Sequence, residues 1–183
     1  MTSSPRRPRV PIEERREQIL EAALTEFSRK GLHGGSTVAI AAEVGVSQPN
    51  IFRIYPTKRE LFVAVLQRVF ARVETRMLAA GEDDGEQPLQ AMSDAWGTLM
   101  IDREIMFMLL QGYAASDDEV IRSLMHDWTR EVFERMEAMP GVGADDAHDF
   151  FAAGMLYMVA AALGLPDRAA TDVWAARFLE SGS

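Results

Sequence analysis

The sequence predicts an all-α protein, a small three-helix domain followed by a larger helical one, about nine helices in all. Three observations carry this. Apolar residues recur at the i, i+3, i+4 spacing of a buried helix face in nearly every stretch between breakers; no strand pattern and no internal repeat survives a pass along the chain; and helix starts and stops are marked by Ser, Thr or Asp ahead and Gly or Pro behind. With 48% hydrophobic and 26% charged residues, 183 residues suffice for a real core. There is no cysteine, which excludes disulfide frameworks, thiolate zinc sites and cysteine nucleophiles. The chain has no apolar run of about 18 residues and no apolar stretch after its N-terminal arginines, so neither a membrane span nor a secretory signal fits and the cytoplasm is the expected location.

Residues 1–11 hold three Pro and Arg6, Arg7 and Arg9 without periodicity, a basic arm that reads as a solvated tail or a minor-groove contact. Residues 12–30 form a first helix with Ile19, Leu20, Ala23, Leu24 and Phe27 as its apolar stripe and Gly31 as its stop. Ser36 caps a second helix over 37–44, whose apolar side is Val38, Ile40, Ala41 and Val44. Gly45 ends it, Val46 plugs the corner, and Ser47 offers its hydroxyl to the next helix, which starts Gln48, Pro49, Asn50. Pro49 suits a first helical turn, where its missing N–H had no partner anyway. Ile51 with Ile54 or Tyr55 turns inward, leaving Gln48, Pro49, Asn50, Phe52 and Arg53 outward. These types suit a nucleic-acid groove: Gln and Asn pair bidentately with adenine, Arg with guanine or phosphate, and a Pro ring meets a thymine methyl. Thr57 and Glu60 read as a capping box opening a long helix, with Lys58 placed to hold a phosphate.

That long helix runs through Leu61, Phe62, Val65, Leu66, Val69, Phe70, Val73 and Met77 to about Gly81, and residues 81–88 form an acidic loop. Residues 89–101 make another helix, with a bend at Asp102 and Arg103. Residues 105–110, IMFMLL, are apolar all round and so belong at the centre of the second domain. Ser116 is the expected cap of a helix through Ile121, Met125, Trp128 and Met136, stopped by PGVG. A small-residue-rich helix follows over 145–164, LPD breaks it, and a last helix spans 168–180. The charge is uneven: residues 1–60 carry 10 basic and 7 acidic side chains, residues 61–183 carry 9 and 21. Positive potential at one end of an acidic chain is the footprint of a nucleic-acid module.

The segments EQILEAALTEFSRKGL and IAAEVGVSQPNIFRIYPTKREL, about residues 12–62, resemble the N-terminal domain of the tetracycline-repressor-like (TetR) family of bacterial transcriptional regulators. The resemblance implies a helix-turn-helix DNA-binding domain over 12–57 and a helical ligand-binding and dimerisation domain over 58–183. It implies base contacts from Gln48, Pro49, Asn50 and Phe52, and phosphate contacts from Thr37 and Lys58; Ser36, Ser47, Arg53 and Tyr55 are further phosphate candidates. Ile54 departs from the Tyr or His commoner in the family, which removes a phosphate contact there. Val38 and Ala39 stand where a basic or polar residue often reaches DNA. The partners implied are double-stranded operator DNA, a second copy of the chain and a small-molecule effector whose binding lowers DNA affinity; no cofactor, metal or membrane is implied.

Trp96, Met100, Met106, Phe107, Met108, Tyr113, Met125, Trp128, Thr129 and Tyr157 are the pocket candidates, each also at home in an ordinary core, and ten of the 11 Met residues lie in 77–158. Phe151, Met155, Met158, Val159, Ala162, Val173, Trp174 and Phe178 on the last two helices are the candidates for a dimer interface, which the resemblance implies as a four-helix bundle. Two other readings compete. An enzyme would rest on Asp145, Asp146, His148 and Asp149, but two of these sit where a helix start prefers acids, and one His without a second cluster makes a poor metal site. A protein-interaction module that kept the head without operator binding would rest on Ile54.

Overall fold

The computed structural model describes residues 11–180, so that all but Pro11 of the basic arm lies outside the described residues. The chain divides into two compact units between Val65 and Leu66.

In the first unit α1 (Ile12–Gly34) buries Ile19, Ala23, Leu24 and Phe27. Its regular course breaks at Gly31, with φ 66° and ψ −174°, a backbone setting essentially reserved for glycine; one more turn then reaches Gly34. α2 (Thr37–Val44) is capped by Ser36, whose Oγ accepts from the Ala39 N–H at 3.2 Å. At its other end Gly45 is left-handed (φ 69°), and the N–H groups of Gly45 and Val46 bond back to the carbonyls of Ala42 (3.1 Å) and Ala41 (2.9 Å). This double closure sets the angle at which the next helix leaves.

Two local expectations fail. The buried face of α2 runs through Thr37, Ile40 and Ala41, and Val38, one residue or about 100° round from Thr37, is 60% exposed. Ser47 makes no side-chain cap; its carbonyl accepts from the Asn50 N–H at 2.9 Å and opens α3 (Gln48–Phe52) by backbone alone. α4 (Lys58–Val73) starts from Thr57, whose Oγ1 accepts from the Glu60 N–H at 3.1 Å. Its Phe62 meets Phe27 edge-on, with ring centroids 5.1 Å apart at 71°.

In the second unit the rest of α4 runs without a break through a π-helical segment (Glu74–Leu78) into α5 (Ala79–Asp83). The rod passes Gly81, which is no stop. A Cβ there would fall 2.6 Å from Met92 Cγ, so this glycine serves close packing. α6 (Pro88–Met100), α7 (Arg103–Ala114), α8 (Glu119–Glu137), α9 (Ala144–Ala162), α10 (Leu165–Arg168) and α11 (Val173–Glu180) follow. Asp102 caps α7 and Asp118 caps α8, each carboxylate accepting two backbone N–H bonds. Ser116, the expected cap of α8, instead donates back to the Gly112 carbonyl at 3.1 Å.

α7 is central as its composition predicts, with Ile105, Met106, Met108 and Leu109 buried; Phe107 is half-exposed beneath the Arg103 guanidinium, 5.0 Å from its ring centre. The last helix is shorter than expected. Gly164 (φ 68°) makes the break, Pro166 suits the first turn of one-turn α10, and α11 begins only at Val173. That extra turn is the helix the sequence count lacks. No strand occurs among the described residues.

Candidate functional site

The corner between α1 and α2 is held by one carboxylate. Glu26 Oε1 accepts from the Ser36 N–H at 2.9 Å and from Lys30 Nζ at 3.0 Å, so the residue that caps α2 is pinned to α1. Burial opposes charge on Glu26, but the Lys30 and Ser36 bonds and the positive charges of Lys30 and Arg29 outweigh it, holding the carboxyl below its usual range. Arg15 NH1 donates to the Val44 carbonyl at 3.2 Å, tying the far end of α2 to α1. Lys58 Nζ donates to the carbonyls of His33 (3.0 Å) and Gly35 (3.2 Å), which fixes the start of α4 to the exit of α1 and uses two of its three donors. Gly35 must be glycine here: a Cβ would lie 2.5 Å from two Phe27 ring carbons and 2.9 Å from the Gly31 carbonyl.

α3 stands on this frame with Ile51 fully buried as its root. Pro49, Asn50, Arg53 and Ser47 are exposed; Ser36, Phe52, Tyr55 and Lys58 are half-buried. Gln48 is also half-buried and its Nε2 donates to Thr37 Oγ1 at 2.6 Å. Thr37 itself is 7% exposed, so its hydroxyl serves the Gln48 amide and its side chain has little surface of its own. The amide oxygen of Gln48, the whole amide of Asn50 and the Arg53 guanidinium thus sit on one short helix and its C-cap, offering both acceptors and donors. The braces from Glu26 and Arg15 and the Gln48–Thr37 bond were not read from the sequence, because each joins residues 10 or more apart with no local spacing signal.

The second unit holds a partly open cavity of about 40 Å³ between α4 and its π segment, α6, α7, α8 and α9. Of the predicted pocket residues Trp96, Tyr113 and Trp128 line it. Met125 and Thr129 line, with Tyr113, a more open recess of about 460 Å³ beside Arg122 and Arg130. Met100, Met106 and Met108 are buried core, Phe107 lies under Arg103, and Tyr157 lines neither space. Phe151, Met155 and Met158, assigned from the sequence to a partner interface, line the cavity instead, because α9 turns that face inward. Burial pushes the Tyr113 hydroxyl up from its ordinary pKa, against the opposing effect of its hydrogen bond with Thr129.

Residues 19–65 match the sequence profile of bacterial regulatory proteins of the tetR family. A TetR-like transcriptional regulator from Rhodococcus sp. RHA1 superposes with a TM-score of 0.66 at 26% identity, over 84% of this chain and 85% of that one. Over residues 19–65 the chain carries a domain of the tetR type. Among curated relatives, the HTH-type transcriptional activator FasR of Mycolicibacterium smegmatis is 36% identical over 90 residues, 48% of this chain and 41% of that protein. The nucleoid occlusion factor SlmA of Pasteurella multocida is 40% identical over 68 residues, 36% of this chain and 34% of that one. The chain therefore spans less than half the length of these two relatives.

These TetR-family relatives are named for regulation and nucleoid occlusion, not for catalysis. Asp146, weighed from the sequence as a metal ligand, accepts from the Gly143 N–H at 2.9 Å and so closes the start of α9. Among the described residues no group of three or more His, Asp or Glu is placed to hold a metal, and no helix is long and apolar enough to cross a membrane. Of the expected interface residues, Val159, Val173 and Trp174 are exposed, while Ala162 and Phe178 are half-buried. Trp174 meets Phe178 edge-on at 6.2 Å, and Phe178 packs on Ala160, Leu165 and Ala175. Leu156 on α9 and Leu163 at its C-cap are exposed beside Val159, three and four residues from it, an apolar line of which only Val159 was assigned to an interface from the sequence.

Proposed function

We propose that this protein is a sequence-specific DNA-binding transcriptional regulator of the cytoplasm, a homodimeric repressor released from its operator by a small apolar or aromatic ligand. The observation that carries the reading is the braced tip: an exposed Pro49, Asn50 and Arg53 with the Gln48 amide, rooted on buried Ile51 between α2 and α4, which Glu26, Arg15 and Lys58 tie to α1. Preorganised polar groups on a short helix suit a major groove. In this reading Gln48, Pro49, Asn50 and Phe52 meet base edges. Ser36, Ser47, Arg53 and Tyr55 meet phosphates, Lys58 does so with its third donor, and Thr37 with its backbone N–H at the start of α2.

The exposed apolar line of Leu156, Val159 and Leu163 on α9, with Val173 and Trp174 on α11, supports a second copy as partner. Two readers set ~34 to 36 Å apart, or a little more, would then read a two-fold operator. Selecting bound duplexes from a random pool with the purified protein tests this. The expected result is a palindromic site that shifts in a gel; recovery of no enriched sequence would overturn the proposal and leave the interaction-module reading.

A further inference from the structure

Taking the cavity as the effector site just proposed, we infer that its ligand is an uncharged apolar or aromatic molecule bearing hydrogen-bond acceptor atoms, received by the indole N–H groups of Trp96 and Trp128. Both Nε1 atoms are buried and neither has a hydrogen-bond partner. Buried N–H groups almost always find an acceptor, so two orphans on side chains that line one space stand out.

Each is held in place. Trp128 stacks on Phe70 with ring centroids 4.2 Å apart and 7° between planes, so its N–H direction is set by the ring behind it. The Nε1 edge of Trp96 lies against Gly154 of α9, where a Cβ would meet it at 3.6 Å, and both residues line the cavity. The remaining hydroxyl of the lining, on Tyr113, already bonds with Thr129. A water molecule settled there needs two to four polar partners, roughly, and the wall has few to give.

Charge decides the rest. The lining holds no Asp, Glu, Lys, Arg or His, so a buried ion of either sign would have no counter-charge. A cation is doubly disfavoured, because the indole N–H edges present their positive ends. Size follows from Met77, Met136, Met155 and Met158, whose unbranched thioethers let the about 40 Å³ expand around a guest.

The test uses the full chain with ¹⁵N-labelled indoles, whose three tryptophans give three Nε1–H signals, assigned by single Trp→Phe changes. The probes are matched sets of one, two and three aromatic rings carrying an acetyl group, the isosteric isopropenyl group, or a trimethylammonium group. The ketones are expected to bind about tenfold more tightly than the alkenes, moving the Trp96 and Trp128 signals downfield while Trp174 stays. If alkenes bind as well as ketones, or the cations bind best, the acceptor inference falls and the cavity remains a ligand site. If none of the sets binds in the cavity, the effector reading falls with it, whatever the operator selection shows.

Discussion

Replacing Thr37 by Val separates reading from mere attachment. Thr37 is 7% exposed and its hydroxyl accepts from Gln48 Nε2 at 2.6 Å, so Val keeps the shape and burial but removes the acceptor. Gln48 is then free to rotate, and ordering a side chain of that kind on binding costs about 0.5 to 1.5 kcal/mol. Cognate affinity should therefore fall about 2- to 12-fold, while affinity for a scrambled duplex, where no base is read, stays as it was. Fluorescence-anisotropy titrations on the selected site and on its scramble, at one salt concentration, measure both. Gln48→Ala alone should cost about 1 to 3 kcal/mol on the cognate site, and less in the Thr37→Val background by the amount already lost. If Thr37→Val weakened both duplexes equally, its hydroxyl would be holding a phosphate and not Gln48. If the two changes simply added, the bond would not preorganise the reader at all.

Four further outcomes are expected. Lys58→Ala should weaken binding to every duplex alike and make the log K against log salt slope shallower by about 0.9, one phosphate's worth. A titration between low and moderate salt reads this. Gly35→Ala should destabilise the first unit by about 1 to 3 kcal/mol through the clash with the Phe27 ring, measured by urea unfolding. The carboxyl of Glu26 is depressed in the fold, so its stabilisation is complete above the unfolded-state pKa and disappears as pH falls through the lower folded value; urea midpoints from neutral pH down through the acidic range should drop less for Glu26→Gln than for the parent. Val173→Asp, at a position 75% exposed, should leave the melting temperature of the subunit almost unchanged but shift light-scattering mass toward the monomer.

Most of the architecture was legible because helices announce themselves in local spacing. The α2–α3 corner was readable at three positions: Gly45 can be left-handed where Ser36 and Pro49 frame it, and all three do as their types imply, whereas Ser47 leaves the cap of α3 to its backbone. Caps were less certain wherever two candidates stood close, so Ser116 lost to Asp118, whose negative carboxylate takes two N–H bonds at the positive end of the helix. Gly81 and Val38 failed for a shared reason. A glycine needed for close approach looks like one needed for a turn, and an apolar residue one place off a stripe looks like part of it. In the candidate site the outward residues of α3 could be read from their own helix, but the Gln48–Thr37 and Glu26–Ser36 bonds are tertiary. The cavity was legible only as a composition, since helical spacing on α9 does not say which side, Phe151 and Met155 or Leu156 and Leu163, faces in.

That ambiguity on α9 has a physical side of its own. About 40 Å³ is far below the roughly 300 Å³ at which small-molecule sites begin, so the proposed effector would need a form in which the wall has moved. A ligand shifts an equilibrium only by its difference in affinity for the two forms. The closed form, with two indole donors unmatched, is where that difference originates. Met155 and Met158 form part of the wall, and Leu156, Val159 and Leu163 occupy the neighbouring face of the same helix. Repacking the inner methionines acts on the backbone that presents those outer residues to a partner copy, since one rigid helix carries both sets. If the proposed effector and the proposed partner copy both bind, α9 links them, and linkage is reciprocal: the factor by which a ligand alters pairing is the factor by which pairing alters the ligand's affinity.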